Sequence, residues 1–236
     1  MPIFTEAVFI GHASVILRSP DFVLAIDPWL GGNPACPENW KAPKQIDLIV
    51  ITHGHGDHAA DAVQLGNKHN CPVIATNELA MALVDDGLKQ ELVVGMNKGG
   101  TTTQKGVNIS LTHALHSSSY QGKQGRVYAG EACGAVIRDD HQAFYHTGDT
   151  CLFSDISLIK DRHHPTYAFL CAGDHFTMGP EEAAQAAHLA GVAHAIPIHH
   201  GTFPAVTIDP AIFEAKCREY GITPHVMKPG EVLNLE

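Results

Sequence analysis

Hydrophobic and polar positions along the chain fall into two kinds of segment. Short apolar runs rich in β-branched residues alternate with longer stretches in which apolar residues recur every three or four positions. The clearest run is IDLIVIT, residues 46–52, which predicts a strand buried on both faces. Upstream, AVFIGHASVILRSPDFVLAIDP predicts two short strands with a turn around Ser19, Pro20 and Asp21. Downstream, AVQLGNKHN predicts a helix ended by Asn70 and Pro72, PVIATN a strand, and ELAMALVDDG a helix stopped by Gly87. GVNISLTHALH, RVYAGEACGAVIRDD and HQAFYHTGD then predict strands of a second sheet. PEEAAQAAHLAG, with Pro180 in its first turn, predicts a helix, and so does PAIFEAKCREYG, with Asp209 as N-cap and Gly221 beyond its end. The strand AHAIPIHH lies between them. Paired strands and βα units in both halves predict two packed sheets with helices outside. No linker, low-complexity segment or residue-level repeat interrupts residues 1–236, so a single domain is expected.

Composition narrows the partners. Hydrophobic residues make up 44% of the chain and charged residues 17%, enough for a sizeable core and too apolar for disorder. No apolar run is long enough to span a bilayer, and the opening MPIFTEAVFIGHA has no basic region ahead of an apolar stretch. A cytoplasmic location without a membrane partner is therefore expected. The formal net charge of −10 argues against nucleic acid as a partner. Two bound divalent cations would, however, add about +4 locally, so an anionic substrate is not excluded. The six cysteines form no CxxC pair and predict buried small hydrophobes, not a disulfide frame. The 17 histidines stand out, because imidazole is the commonest metal ligand.

Four potential ligands are concentrated in THGHGDH, residues 52–58, directly after the apolar run at 46–52. The ends of strands are where sites form in α/β architectures. His53 and His55 are two apart, so in an extended loop they point the same way and can share one cation. Asp57 and His58 are adjacent and diverge, which suits a second cation nearby. Gly54 and Gly56 are expected to let the loop bend between ligands.

HxHxDH after an apolar strand resembles the metallo-β-lactamase superfamily. LHSSS with His116, GDT with Asp149 and PIHHGTFP with His199 are similar to that superfamily's remaining motifs, in order. GHASV, IDPWLGGNP, HFTMGPEEAA and the closing KPGE resemble a subgroup of metal-dependent hydrolases related to the ascorbate-6-phosphate lactonase type. The resemblance covers nearly the whole chain. It implies an αββα sandwich, two mixed sheets packed together with helices on the outer faces. It also implies one metal bound by His53, His55 and His116, a second bound by Asp57, His58 and His199, and Asp149 bridging both. His113 competes with His116 and His200 with His199; the resemblance favours His116 and His199. Nitrogen and carboxylate ligands without thiolate suit Zn²⁺ first, with Mn²⁺, Fe²⁺ and Ni²⁺ as further candidates.

Other residues are expected around the metals. His12, in GHAS, is expected beside them. Asp27, in IDPW, should fix the metal loop from behind, and His146 should hydrogen-bond a ligand. The resemblance places His175 at the cleft, before a helix start, where it would contact substrate or donate a proton. Asp174 stands where the resemblance leads one to expect a small residue. Ser117, Ser118 and Ser119 are expected to cap backbone groups, and Cys151 to be a buried thiol.

The chemistry implied is hydrolysis: two cations share a water, lower its pKa towards about 7 and direct the hydroxide at a carbonyl or phosphorus, with Asp57 orienting it. A small ester, lactone or phosphodiester is the expected substrate, since the chain lacks the inserted domain with which similar nucleases clamp RNA. Similar proteins often assemble as homo-oligomers. Two alternatives share the fold. Diiron redox enzymes resemble a pattern with Glu where this chain has His55, together with a flavin domain absent here. A non-catalytic metal-binding protein would be expected to have lost ligands, and all seven are present.

Overall fold

The computed structural model describes residues 4–235. The first segment forms three strands where two were expected: β1 (Glu6–Gly11), β2 (Ser14–Ser19) and β3 (Phe22–Ile26). The additional break falls at Gly11 and His12, whose φ values of 113° and 57° turn the chain inside an otherwise apolar run. β4 (Leu48–Val50), α1 (Gly56–Ala59), α2 (Ala62–His69), β5 (Val73–Thr76), α3 (Asn77–Asp85) and β6 (Val93–Met96) complete the first half. Asn70 caps α2 in the left-handed conformation, as the sequence suggests.

The second half runs β7 (Thr101–Gln104), β8 (Val107–His113), β9 (Ser119–Gly122), β10 (Gly125–Tyr128), β11 (Cys133–Arg138) and β12 (Ala143–His146). It continues with α4 (Ser157–His163), β13 (Tyr167–Cys171), α5 (Pro180–Ala190), β14 (His194–Ile198), α6 (Pro210–Glu219), β15 (Thr223–Pro224) and β16 (Val232–Asn234). The stretch RVYAGEACGAVIRDD holds two strands. Gly130 at φ 74° breaks it, sending β10 into a ribbon with β9 and β11 into the second sheet.

Each half supplies most of one seven-stranded sheet. The first has the order β16-β1-β2-β3-β4-β5-β6 and the second β15-β14-β13-β12-β11-β8-β7. Both are mixed in the same way. β16, β1, β2 and β3 pair antiparallel and β3 to β6 parallel. β7, β8, β11 and β12 pair antiparallel and β12 to β15 parallel. The two sheets thus share a topology that leaves no trace at the level of residue identity.

Alternation along the strands sorts side chains into three cores. Phe9, Leu48, Val50, Phe144, Phe169 and Ile196 meet in the layer between the sheets. Val8, Ile10 and Ile49 face the opposite way, against Leu65, Leu79 and Leu83 of α2 and α3. Tyr145, Ala168 and Ala195 pack outward on Ala183, Ala187 and Phe213 of α5 and α6. α5 buries Ala183, Ala184, Ala186, Ala187 and Ala190; Glu182 accepts from the Gly179 amide at its start and Gly191 closes it at φ 68°. Among the described residues no helix is long and apolar enough to cross a membrane, and no disulfide forms. Five cysteines are buried, whereas Cys151 is exposed, against expectation. It lies just past Asp149 in the loop between β12 and α4.

Candidate metal centre

Strand ends bring the candidate ligands together. β4 delivers His53, His55, Asp57 and His58; β8 leads to His116, β12 to Asp149 and β14 to His199. The Oδ2 atom of Asp149 lies centrally, 3.1 Å from His199 Nε2, 3.4 Å from His58 Nε2, 3.7 Å from His116 Nε2 and 3.8 Å from His53 Nε2. Asp57 Oδ2 lies 3.8 Å from His199 Nε2 and 3.9 Å from His58 Nε2. Three groups have ligand atoms within 4.8 Å of one another: His53 with His55 and His116; His53 with His58 and Asp149; and Asp57 with His58, His199 and His12.

This donor set fits divalent metal binding. Donors about 2.0–2.1 Å from a tetrahedral ion stand roughly 3.3 Å apart, the spacing found around Asp149. His58 Nε2, both ring nitrogens of His199 and Asp149 Oδ1 are buried without a hydrogen-bond partner, a costly arrangement unless something binds them. No thiol is present among the converging groups, which favours borderline and harder divalent ions.

The surroundings fix each ligand. Asp27 is fully buried and accepts from the Thr52 amide and hydroxyl, both at 2.7 Å, while its Oδ2 pairs with His58 Nδ1 at 2.8 Å. That leaves His58 Nε2 as the atom aimed at a metal, the carboxylate–histidine arrangement that orients ligands in metal sites. Asp27 therefore lies behind the THGHGDH loop, in contact with Thr52 and His58. His12 sits beside the cluster, with Nε2 2.9 Å from Asp57 Oδ2 and Nδ1 3.0 Å from Thr202 Oγ1. Asp27, His12 and His199 all have left-handed backbones, at φ 46°, 57° and 59°. Strain of this kind persists only where neighbours enforce it, and here the His199 amide donates to the His12 carbonyl at 2.6 Å.

Several expectations need correction. His146 bonds no ligand: its Nε2 meets the Ala13 carbonyl and its Nδ1 accepts from the Gly148 amide, so it ties the end of β12 to the first turn. His175 is exposed and does not line the cavity over the cluster; Phe176 does, with its ring edge-on to His175 at 4.5 Å. The left-handed backbone of Asp174, φ 66°, turns the loop so that successive side chains diverge. Gly56 meets nothing within 4 Å, and neither it nor Gly54 has a positive φ. Gly54 is needed for close approach, since a Cβ there would lie 2.9 Å from the Ser119 carbonyl. His113 turns away, 3.2 Å from Lys98 Nζ, and His200 stacks on Phe9, so His116 and His199 are the histidines in the cluster. Ser118 caps backbone as expected, between Gly54 and Ala129, whereas Ser117 lines the cavity. Thr52, Thr202 and Phe176 lie within THGHGDH, PIHHGTFP and HFTMGPEEAA, but the sequence assigns them no role beside the histidines and carboxylates of those motifs.

Charge in the site is divided sharply. Burial pushes the imidazoles of His53, His55, His12 and His116 below their ordinary range, towards the neutral form that a metal needs. Burial also opposes charge on His58 and His199, but the Asp149 carboxylate outweighs it in both, raising His199 to about 9. Burial would raise Asp57 and Asp149 too. The surrounding imidazoles prevail and hold both carboxyls below their usual range. The two carboxylates thus draw in positive charge.

Comparisons with known proteins agree with this architecture. Residues 22–200 match the sequence model described as a beta-lactamase superfamily domain. A UPF0173 metal-dependent hydrolase from Koribacter versatilis is 42% identical over 225 residues, covering 94% of this chain and 95% of that one. A UPF0173 metal-dependent hydrolase from Chloroflexus aurantiacus is 41% identical over 228 residues, 94% of each chain. Among solved structures, a metallo hydrolase from the archaeon Ignicoccus hospitalis superposes with a TM-score of 0.87 at 31% identity, over 99% of both chains. An isothiocyanate hydrolase from Delia radicum gut bacteria shares the fold, with a TM-score of 0.74 at 19% identity over 98% of both chains.

Proposed function

The chain belongs to the beta-lactamase superfamily, and on that premise we propose how its cluster makes it a metal-dependent hydrolase. The reading takes two divalent cations, Zn²⁺ by the preference of the donors. His53, His55 and His116 hold one, Asp57, His58 and His199 the other, and Asp149 joins them. The observation that carries this is the convergence of the Nε2 atoms of His53, His58, His116 and His199 within 3.8 Å of Asp149 Oδ2, with His58 Nε2, His199 Nε2 and Asp149 Oδ1 buried and without a hydrogen-bond partner. Cations there supply Lewis acidity to the substrate's electrophilic oxygen and bring a water's pKa near about 7.

The chain's own residues do the rest. Asp57, the more exposed of the two cluster carboxylates, is oriented by His12. It takes the water's proton and returns it to the leaving group. Asp27 and Thr52 hold His58 and His53 in register, as His53 Nδ1 lies 3.1 Å from Thr52 Oγ1. His175, outside the cavity, steadies Phe176 at its edge. The substrate class is an ester, a lactone or a phosphodiester, and the location is cytoplasmic, in keeping with thiols that all stay free.

Metal analysis of purified protein, coupled to a screen of esters, lactones, thioesters and phosphodiesters, tests this reading. About two cations per chain and hydrolysis abolished by chelation are expected. Equal turnover by protein verified free of metal would sink it.

A further inference from the structure

The cavity over the cluster encloses roughly 540 Å³ including its mouth. Among the described residues, Ser117 and Phe176 line it besides the cluster's own side chains. No lysine or arginine is among the lining residues. Phe176 is 59% exposed, Leu115, next to His116, is 46% exposed, and Phe203 is 41% exposed. Phe203 and Trp29 stand 6.0 Å apart and both pack on His12, at 5.8 and 5.3 Å between ring centroids. Single exposed apolar side chains are ordinary. Here Phe176 lines the cavity itself, Leu115 adjoins His116 in the chain, and the Trp29–Phe203 pair packs on His12, the partner of Asp57.

From this arrangement we infer that the substrate is a neutral carboxylic ester or lactone whose group beyond the scissile bond is uncharged and apolar. The inference rests on the hydrolase reading and deepens it. Phosphoryl groups in transfer are clamped by Arg, Lys or metal ions, and here that charge would come from the metals alone, since no basic side chain is among the lining residues. A substrate carrying a remote phosphate, such as the phosphorylated lactone suggested by the sequence resemblance, would place a dianion beside Phe176, where no basic side chain is among the lining residues to pair with it while the metals engage the scissile bond. Burial of an unpaired charge there opposes binding. An alkyl or aryl group instead removes apolar surface of both partners from water. In the reaction a water oxygen bonds to the carbonyl carbon and the bond from that carbon to the alkoxy oxygen breaks. One water proton goes to the leaving alkoxide and the other is released as the acid ionises.

The test uses the metal-loaded protein with p-nitrophenyl esters from acetate to octanoate and with γ-butyrolactone against γ-nonalactone. Bis(p-nitrophenyl) phosphate and a 6-phosphorylated sugar lactone complete the panel. The expected result is a kcat/KM that rises about two- to fourfold per added methylene, and phosphorylated compounds that are turned over poorly. Phe176→Ala and Phe203→Ala should flatten the chain-length slope and keep full metal content. Binding of alkyl hydroxamates, followed by tryptophan fluorescence, should tighten with chain length in parallel. Hydrolysis that favours the acetyl ester, the phosphodiester or the phosphorylated lactone would overturn the inference and leave the hydrolase reading standing. If nothing in the panel is turned over, the hydrolase reading fails. Hydroxamate affinity that is flat with chain length overturns the inference on its own.

Discussion

At the scale of single residues, protonation and metal binding compete for the same atoms. Burial disfavours charge on His58 and His199, yet Asp149 keeps both protonated, His199 up to about 9, in protein without metal. Their pairing with Asp149 then stabilises the metal-free fold fully below the ordinary histidine range and is lost as pH rises through about 9. A cation must displace those protons, so affinity should strengthen with pH up to the same value. Calorimetry at pH ~7.5 in buffers of differing ionisation enthalpy should detect release of about one to two protons per chain on metal loading. No release would mean that the imidazoles are already neutral. His116→Ala should lower metal content from about two ions to about one, and His113→Ala should change nothing, because His113 contacts Lys98 outside the cluster. Full occupancy in His116→Ala would refute the assignment. His175→Ala should cost less than tenfold in turnover; a loss of about 10²–10⁴ would make it the general acid after all.

At the scale of elements, the site depends on loops that pass close to one another. Gly148 has φ 60°, and a Cβ there would run into the Cys133 carbonyl and lie 3.0 Å from the Thr52 Cβ. It adjoins Asp149 and cannot move without moving that carboxylate. Gly148→Ala should therefore destabilise the protein by roughly 1–3 kcal/mol and also reduce metal occupancy. Denaturant melts and metal analysis read the two effects separately. A variant of normal stability and full metal content would show that the loop has slack. The same close packing explains what was legible in the sequence. THGHGDH could be read directly because four ligands follow one buried strand, and the helices with Asn70, Pro180 and Asp209 at their ends could be read from capping. The short α4, SLIKDRH, has too few apolar positions to show a helical period, and β15 and β16 are edge pieces of two and three residues. The His12–Asp57 contact joins residues 45 apart and the His12–Thr202 contact residues 190 apart. Neither pairing leaves a local pattern. The loop bearing His175 could be placed near the cleft, but which of its side chains faces inward depends on the φ of Asp174.

At the scale of the whole molecule, the cluster joins the two sheets. His53, His55, Asp57 and His58 follow a strand of the first sheet, whereas His116, Asp149 and His199 follow strands of the second. Each proposed metal takes ligands from both sides, so no local part of the chain can hold either one. The unfolded chain should bind the ions far more weakly, and binding is then linked to folding. At a free concentration a thousandfold above its Kd, an ion adds about 4 kcal/mol to stability. For a chain of this size about 1 kcal/mol corresponds to 2–4 °C. Removing even one such ion should thus lower Tm by roughly 8–16 °C. Scanning calorimetry before and after chelation, with metal content verified in each sample, checks the shift, and re-addition of Zn²⁺ should restore it. Asp149→Asn provides the internal control. It weakens the group shared by both metals, so its Tm should respond little to chelator or to added Zn²⁺. A wild-type melting curve unchanged after verified metal removal would mean that the sheets are held together by the core of Phe9, Phe144 and Phe169 alone, with the cluster a passenger on a finished fold. A large response that persists in Asp149→Asn would place the stabilising ion elsewhere in the molecule.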